Sequence, residues 1–170
     1  MNTKNELRLW AKNKRKDINI ENISKILVEK LKQTKEYQEA KNVMIFYPKT
    51  NEVDLLSLLE DESKKFYLPK IDKENLLCCF YKKGDELCKS CFKTMEPLTE
   101  PVSSGNIDLI IVPALAVDKN KYRLGYGGGY YDRFLKDVNC TKCVCISKEL
   151  VLDTVLAQEH DIKMDIIVTE

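Results

Sequence analysis

Glycine is scarce in this chain, with only six residues among 170, and that scarcity makes its distribution informative. Four of the six fall within five positions, at 125, 127, 128 and 129. Glycine permits positive φ angles and close approach to the backbone, at a cost in folding entropy. Its concentration in one turn therefore predicts a site where a ligand lies against bare backbone.

Export signals, membrane-length apolar runs and an excess of one charge are also missing. The Lys- and Arg-rich N-terminus is not followed by the apolar run of a signal peptide, and no stretch has the length of a membrane span. The near balance of 28 basic and 27 acidic residues argues against nucleic-acid binding. We therefore expect a single domain, residues 1–170, that is cytoplasmic and has no membrane, nucleic-acid or obligate protein partner.

The seven cysteines do not indicate a secreted disulfide framework, because their number is odd and no export signal accompanies them. Two CxxC pairs, Cys88–Cys91 and Cys140–Cys143, permit a zinc interpretation, although they lie far apart in the chain. Cys143 and Cys145 alternate with apolar residues, which is typical of small apolar side chains in a strand. A zinc-stabilised interaction domain remains an alternative.

Hydrophobic periodicity predicts alternating strands and helices. The predicted helices are residues 3–16, residues 22–35, a leucine-rich segment capped by Asp54, and the segment after the glycine turn. The predicted strands are 43–47, 65–68, 76–82, 107–112, 142–147 and 165–168, the first two ended by Pro48 and Pro69. Residues 83–105 are expected to form loops with a short strand. This pattern predicts a three-layer, Rossmann-like α/β fold with a mainly parallel central sheet flanked by helices.

The glycine turn lies in the segment Arg123-Leu-Gly-Tyr-Gly-Gly-Gly-Tyr-Tyr-Asp132, between a buried strand and a helix. A helix start there offers free N–H groups and a positive dipole end to an anion such as phosphate. The turn is not a Walker loop, which needs Gly-Lys-Ser or Gly-Lys-Thr. It is not the dinucleotide fingerprint either, because Tyr130 occupies the position of its last glycine. Arg123 and Asp132, which flank the turn, argue against a turn without a chemical role.

The same segment carries a specific resemblance. Val112-Pro-Ala-Leu-Ala-Val-Asp118 followed by Arg123–Asp132 resembles the signature of the 5-formyltetrahydrofolate cyclo-ligase family, also called 5,10-methenyltetrahydrofolate synthetase. Lys4–Arg8 resembles the family's nucleotide-binding helix, Tyr47–Asp54 its folate-contacting segment and His160–Glu170 its C-terminal ending. These pieces follow the family's order across nearly the whole chain. The sequence departs from the family's pattern at Leu55, Val117, Lys121 and Ala157, and none of these departures removes a charged group.

The resemblance implies ATP-dependent cyclisation of 5-formyltetrahydrofolate to 5,10-methenyltetrahydrofolate, with Mg²⁺ as cofactor. It implies that ATP is bound by Lys4, Arg8, Arg123, Leu124, Gly125, Tyr126, Gly127, Gly128, Gly129, Tyr130 and Tyr131. It implies that the folate substrate is bound by Tyr47, Glu52, Tyr126, Gly127, Gly128, Gly129 and Tyr130, and Mg²⁺ by Asp132 and Asp161. We expect a structural role for the single histidine, His160.

The spacing of Lys4 and Arg8 bears on a second alternative. Residues four apart lie on the same side of a helix, as two phosphate contacts would require. A sugar-phosphate-binding module or isomerase without ATP could share the α/β pattern and the glycine turn. It would not need this N-terminal pair.

Overall fold

The computed structural model describes residues 1–90 and 94–170, in which helices alternate with short strands. The α-helices are α1 (Lys4–Lys14), α2 (Ile20–Lys32), α3 (Lys35–Glu39) and α4 (Tyr130–Lys136). The strands of the first half are β1 (Asn42–Met44), β2 (Lys65–Asp72), β3 (Asn75–Tyr81), β4 (Leu87–Lys89), β5 (Met95–Pro97) and β6 (Pro101–Val102). Those of the second half are β7 (Leu109–Ile111), β8 (Ala116–Asp118), β9 (Arg123–Leu124), β10 (Thr141–Cys145), β11 (Val151–Leu152) and β12 (Ile166–Val168).

Polar residues fix where the first two helices begin. The Thr3 hydroxyl accepts a hydrogen bond from the backbone of α1 at 3.2 Å, and the Asn19 side chain does the same for α2 at 3.2 Å. Because Asn19 supplies the cap, α2 begins at Ile20, two residues earlier than the sequence predicted. In the described part of the chain, no helix is long and apolar enough to cross a membrane.

The central sheet has a topological switch point in its parallel part. Across the described residues its seven strands have the order β12-β10-β7-β1-β2-β3-β6. β1 lies between β2 and β7 and is parallel to both, whereas β3 is antiparallel to β2. Counted along the chain, the parallel strands have the order 2-1-3-4-5, which is a common doubly wound arrangement. The mainly parallel α/β fold is confirmed, whereas its Rossmann-like detail is not.

The two faces of the sheet carry separate apolar cores, because side chains alternate along each strand. Val43 and Ile45 face a core that includes Leu27 of α2, and α3 contributes to the same core. Met44, between them, faces a second core that includes Leu7 of α1, and α4 contributes to that one. The sheet is therefore covered by helices on both faces, as the three-layer prediction requires.

β2 is longer than predicted, because Pro69 does not end it. The N–H of Ile71 points away from β3 and donates to the Glu96 side chain at 3.2 Å. Pro69, two residues earlier, faces the same side by strand alternation. β1 pairs only as far as Tyr67 on that side, so no neighbouring strand needs an N–H from Pro69.

Three short segments also differ from the sequence-based prediction. The leucine-rich segment forms a short 3₁₀ helix, Leu56–Glu60, whose N-cap is Leu55 and not the predicted Asp54; Asp54 lies one residue earlier and accepts from the Leu56 N–H at 2.8 Å. The predicted loop before the glycine turn contains the antiparallel pair β8 and β9. Residues 83–105 contain β4, β5 and β6. β6 pairs with β3 and β8 with β11, which are distant in the chain, and periodicity within so few residues does not reveal such pairing.

Candidate functional site

A cleft of about 730 Å³ opens beyond the carboxyl ends of β1 and β7, at the switch point of the sheet. Ligand crevices of open α/β sheets form at such points. Every predicted site residue lines this cleft, although these residues come from four separate parts of the chain. They are Lys4, Arg8, Tyr47, Glu52, Arg123, Leu124, Gly125, Tyr126, Gly127, Gly128, Gly129, Tyr130, Tyr131, Asp132 and Asp161.

Two cations of α1 reach into the cleft and bind groups far away in sequence. The Lys4 ammonium lies 2.5 Å from Asp161 Oδ2, and the Arg8 Nε donates to the Gly125 carbonyl at 3.0 Å. Burial tends to raise the pKa of Asp161, but hydrogen bonds from Lys4 and from the Gln158 N–H outweigh it. The pKa of Asp161 therefore lies below its usual value, and the carboxylate is ionised at neutral pH.

Arg123 and Asp132 form an ion pair at the base of the glycine turn. Arg123 NH2 lies 3.0 Å from Asp132 Oδ1, and the Arg123 side chain is only 4% exposed. Burial lowers the pKa of Arg123, while the charges of Asp132, Tyr131 and Asp161 act in the opposite direction. Arg123 Nε is buried and has no hydrogen-bond partner in the described residues. The guanidinium therefore keeps a free donor and lies near both predicted metal ligands.

The backbone of the turn needs glycine at two positions for conformational reasons. Gly127 has a φ of +106° and Gly129 a φ of +68°, in the region that side chains disfavour. A Cβ at Gly127 would also lie 3.4 Å from Cζ of Arg8. Gly129 is the N-cap of α4, and no side chain caps that helix start. The first N–H groups of α4 are thus left without a side-chain acceptor, as the sequence predicted.

Glu52 lines the same cleft and belongs to a hydrogen-bonded cluster. It is 6% exposed, and its Oε2 accepts from the Lys49 N–H at 2.8 Å. The hydroxyl of Tyr126, which belongs to the glycine turn, donates to Glu52 Oε1. Arg15 NH1 in turn donates to the Tyr126 hydroxyl at 2.9 Å. Burial and the charge of Glu52 raise the pKa of Tyr126, so the phenol stays neutral and can donate.

The sequence reasoning missed several charged residues at or beside the cleft, among them Lys136, which lines it. Lys49 lies over the Tyr126 ring at 4.9 Å, and Arg133 over the Tyr130 ring at 5.1 Å. Glu96 is 5% exposed and lines the cleft, and Arg15 reaches Tyr126 from behind it. Their sequence neighbours include many other charges, so nothing local distinguished them from solvated surface residues.

Asp132 and Asp161, the predicted Mg²⁺ ligands, line the same cleft, and both follow Arg123 in the chain. Residues 1–90 and 94–170 contain no group of three or more His, Cys, Asp or Glu side chains that could hold a metal ion. Mg²⁺ commonly uses one or two carboxylates and completes its shell with water and phosphate oxygens. Two carboxylates with hard oxygen donors therefore fit the predicted ion.

The remaining sequence predictions concern His160 and the CxxC pairs. His160 is mostly exposed, and its Nε2 lies 3.7 Å from Asp161 Oδ1 at the rim of the cleft. Cys91 lies outside the described residues, so the first CxxC pair is described only at Cys88, in β4. Cys143 of the second pair lies buried in β10, as predicted for a strand residue.

The fold and the cleft together define an α/β protein whose ligand site combines a cationic glycine turn with a buried carboxylate. The pattern of the 5-formyltetrahydrofolate cyclo-ligase family matches residues 1–170, the whole chain. The chain belongs to this family, and it is therefore an enzyme of the cyclo-ligase class.

Individual relatives agree with this assignment. The chain is 27% identical over 166 residues to 5-formyltetrahydrofolate cyclo-ligase from Mus musculus, covering 86% of this chain and 82% of the mouse protein. The Escherichia coli K12 enzyme of the same name is 33% identical over 107 residues, which span 58% of this chain and 59% of that protein. The structure of Aquifex aeolicus 5,10-methenyltetrahydrofolate synthetase has a TM-score of 0.85 at 32% identity, covering 98% of this chain and 89% of the other.

Proposed function

We propose that this enzyme catalyses the ATP- and Mg²⁺-dependent cyclisation of 5-formyltetrahydrofolate to 5,10-methenyltetrahydrofolate, releasing ADP and phosphate. One observation carries the proposal beyond family membership. A buried carboxylate, Glu52, and three cations, Lys4, Arg8 and Arg123, line a single cleft of about 730 Å³. The carboxylate suits a ligand with N–H donors, and the cations suit a ligand with phosphates.

The reaction has a chemical difficulty that phosphoryl transfer removes. The N5-formyl group is an amide, so its carbon is a poor electrophile and its oxygen a poor leaving group. Transfer of the γ-phosphoryl group from ATP to the formyl oxygen releases ADP and makes that oxygen part of a phosphate ester. The N10 lone pair then attacks the formyl carbon, the carbon–oxygen bond breaks, phosphate leaves and N10 loses its proton. Side chains have little covalent work here, so positioning and charge stabilisation dominate.

The phosphate half of the cleft is assigned to α1 and the glycine turn. Arg8 and Lys4 extend from one helix face, and the buried Arg123 supplies a third positive charge. The backbone at Gly127 can approach a phosphate closely because it has no side chain. Residues 123–131 are therefore proposed to bind ATP together with Lys4 and Arg8.

The folate half is assigned to the opposite wall. Glu52 has one lone pair left on each oxygen after its bonds to Tyr126 and to the Lys49 N–H. A pterin edge with adjacent N–H and NH₂ donors matches these two acceptors. Tyr47 lines the same wall and offers an apolar ring surface. Because Tyr126 belongs to the glycine turn, residues 126–130 lie between the two ligand halves and are proposed to contact both.

Asp132 and Asp161 are proposed to hold the Mg²⁺ that accompanies ATP. When bound, the ion would neutralise charge on the phosphates. In the structure Asp132 is paired with Arg123 and Asp161 with Lys4. We propose that these cations turn from the carboxylates to phosphate oxygens when MgATP enters. The cytoplasmic location predicted from the sequence is part of the same proposal.

The proposal is tested by following methenyltetrahydrofolate absorbance in the near ultraviolet. We expect absorbance to rise only when protein, MgATP and 5-formyltetrahydrofolate are all present, with one ADP released per product formed. A sugar-phosphate-binding module would not depend on ATP, so the reaction without ATP tests that alternative. Zinc analysis of the purified protein tests the alternative of a zinc-stabilised domain. Folded protein that gives no rise with all components present would overturn the proposal.

A further inference from the structure

Arg15 is a buried cation whose contacts lead to the folate half of the cleft. It lies in the 3₁₀ turn that follows α1 and is 6% exposed. Its NH2 donates to the Ala114 carbonyl and its NH1 to the Tyr126 hydroxyl, while its Nε has no hydrogen-bond partner among the described residues. None of the ion pairs formed by residues 1–90 and 94–170 includes Arg15. A buried charge of this kind needs a carboxylate nearby.

The nearest connection to a carboxylate runs through Tyr126. A guanidinium can only donate, so the phenol oxygen accepts from Arg15 and must direct its own single proton elsewhere. That proton goes to Oε1 of Glu52. Arg15 therefore fixes both the position and the hydrogen-bond direction of the Tyr126 hydroxyl.

Helix α1 and its following turn hold the glycine turn at two adjacent points. Arg8 donates to the backbone carbonyl of Gly125, and Arg15 donates to the side chain of Tyr126. These two contacts constrain Tyr126 through its backbone and through its hydroxyl. The glycine backbone around Tyr126 is otherwise conformationally permissive, so side-chain contacts must supply the constraint.

We propose that Arg15 is a positioning residue for folate binding, which acts through Tyr126 to orient the Glu52 carboxylate. The inference rests on the proposed function, since it takes the ligand of Glu52 to be the pterin. With Tyr126 fixed, one lone pair on each Glu52 oxygen faces the cleft in the bidentate arrangement that two adjacent donors need. Without Arg15, the phenol can rotate, and the Lys49 N–H is then the remaining described contact that orients Glu52 before the substrate arrives.

A double-mutant cycle with Arg15→Gln and Tyr126→Phe tests the inference. Binding of 5-formyltetrahydrofolate and of MgATP is measured by calorimetric titration, and KM and kcat by the absorbance assay. Tyr126→Phe removes the relay, and we expect it to weaken folate binding about tenfold, the effect of roughly one hydrogen bond. Arg15→Gln should weaken folate binding by a smaller factor, with MgATP affinity nearly unchanged. The double variant should bind folate no more weakly than Tyr126→Phe alone, because both changes interrupt one path.

Controls separate positioning from folding. Lys16→Gln removes a neighbouring exposed positive charge and should leave folate binding unchanged. If Arg15→Gln does not fold, Arg15→Lys keeps a charge and one donor and takes its place in the cycle. Multiplicative effects in the double variant, or equal loss of folate and MgATP affinity, would overturn the inference while leaving the proposed function intact. Absence of folate binding by the unmodified protein would overturn both.

Discussion

Replacing Glu52 with Gln changes the shape of the side chain little but removes the charge on which folate binding is proposed to depend. In the structure both oxygens of Glu52 accept hydrogen bonds, from the Tyr126 hydroxyl and from the Lys49 N–H. A glutamine must turn its NH₂ group toward one of these donors. It also presents one donor and one acceptor, instead of two acceptors, to the pterin.

The expected magnitude follows from that mismatch. The pterin loses at least one hydrogen bond to a charged group, which typically contributes about 1.5–3 kcal/mol. This corresponds to roughly a tenfold to hundredfold loss of affinity for 5-formyltetrahydrofolate. MgATP affinity should remain nearly unchanged, because Glu52 has no hydrogen bond to Lys4, Arg8 or Arg123 in the described residues.

Calorimetric titration of Glu52→Gln with each ligand decides the matter, after thermal unfolding has shown that the variant is folded. Glu60→Gln is the matched control, because Glu60 is exposed and forms its ion pair with Lys83 at the surface. Arg8→Ala should show the reverse pattern, with the larger loss for MgATP. A smaller folate effect is expected there, since Arg8 also holds the Gly125 carbonyl. Equal loss of one and the same ligand in Glu52→Gln and Arg8→Ala would refute the division of the cleft.

Three further changes test the glycine turn, the ion pair and the acid side of stability. Gly127→Ala should weaken MgATP binding, because a side chain strains the φ of +106° and crowds the Arg8 guanidinium. Gly105→Ala is the control and should leave MgATP binding unchanged. Titration of both variants with MgATP compares them. Asp132→Asn should reduce turnover most at low Mg²⁺, because it removes a proposed metal ligand. It should also lower the melting temperature, because Arg123 loses its carboxylate partner. Unchanged activity at low Mg²⁺ would contradict the metal role. Burial tends to raise the pKa of Asp108, but hydrogen bonds from the backbone at 41 and 42 outweigh it, so its pKa is lowered from 3.8. The ionised Asp108 therefore stabilises the fold above about pH 3.8, and this stabilisation is lost as the pH falls through the lowered pKa. In Asp108→Asn, the free energy of unfolding measured in urea should fall less steeply as the solution is acidified.

The sequence was informative wherever a property is carried by neighbouring residues. The apolar runs at Val43 and Leu109 predicted buried strands, and four glycines in five positions predicted the turn. The spacing of Lys4 and Arg8 placed both on one helix face, and both line the cleft. These signals are local because helix and strand periodicity repeats within a few residues.

Short elements were predicted less well, because strands of two or three residues carry too little periodicity. The β8–β9 pair was read as a loop, and Pro69 was taken as the end of a strand that continues through it. The outcome at Pro69 depends on β1 ending before it, and that is a property of the neighbouring strand. Neither feature leaves a pattern in its own stretch of sequence.

The sequence by itself determined the α/β class, the glycine turn and the types of charge available to the site. Only the tertiary structure decided which charges meet: Lys4 with Asp161, 157 positions away, and Arg15 with Glu52 through Tyr126. For Glu52, which follows β1, and Tyr126, which follows β7, the physical reason is that the carboxyl ends of parallel strands lie along one edge of the sheet, so the segments after them converge. Helix α1, which carries Lys4 and leads into Arg15, precedes β1 and is held there because its Leu7 packs into the core on one face of the sheet. Buried charges pair with the groups brought close in this way, because an unpaired buried charge costs much more free energy than a charge exposed to water.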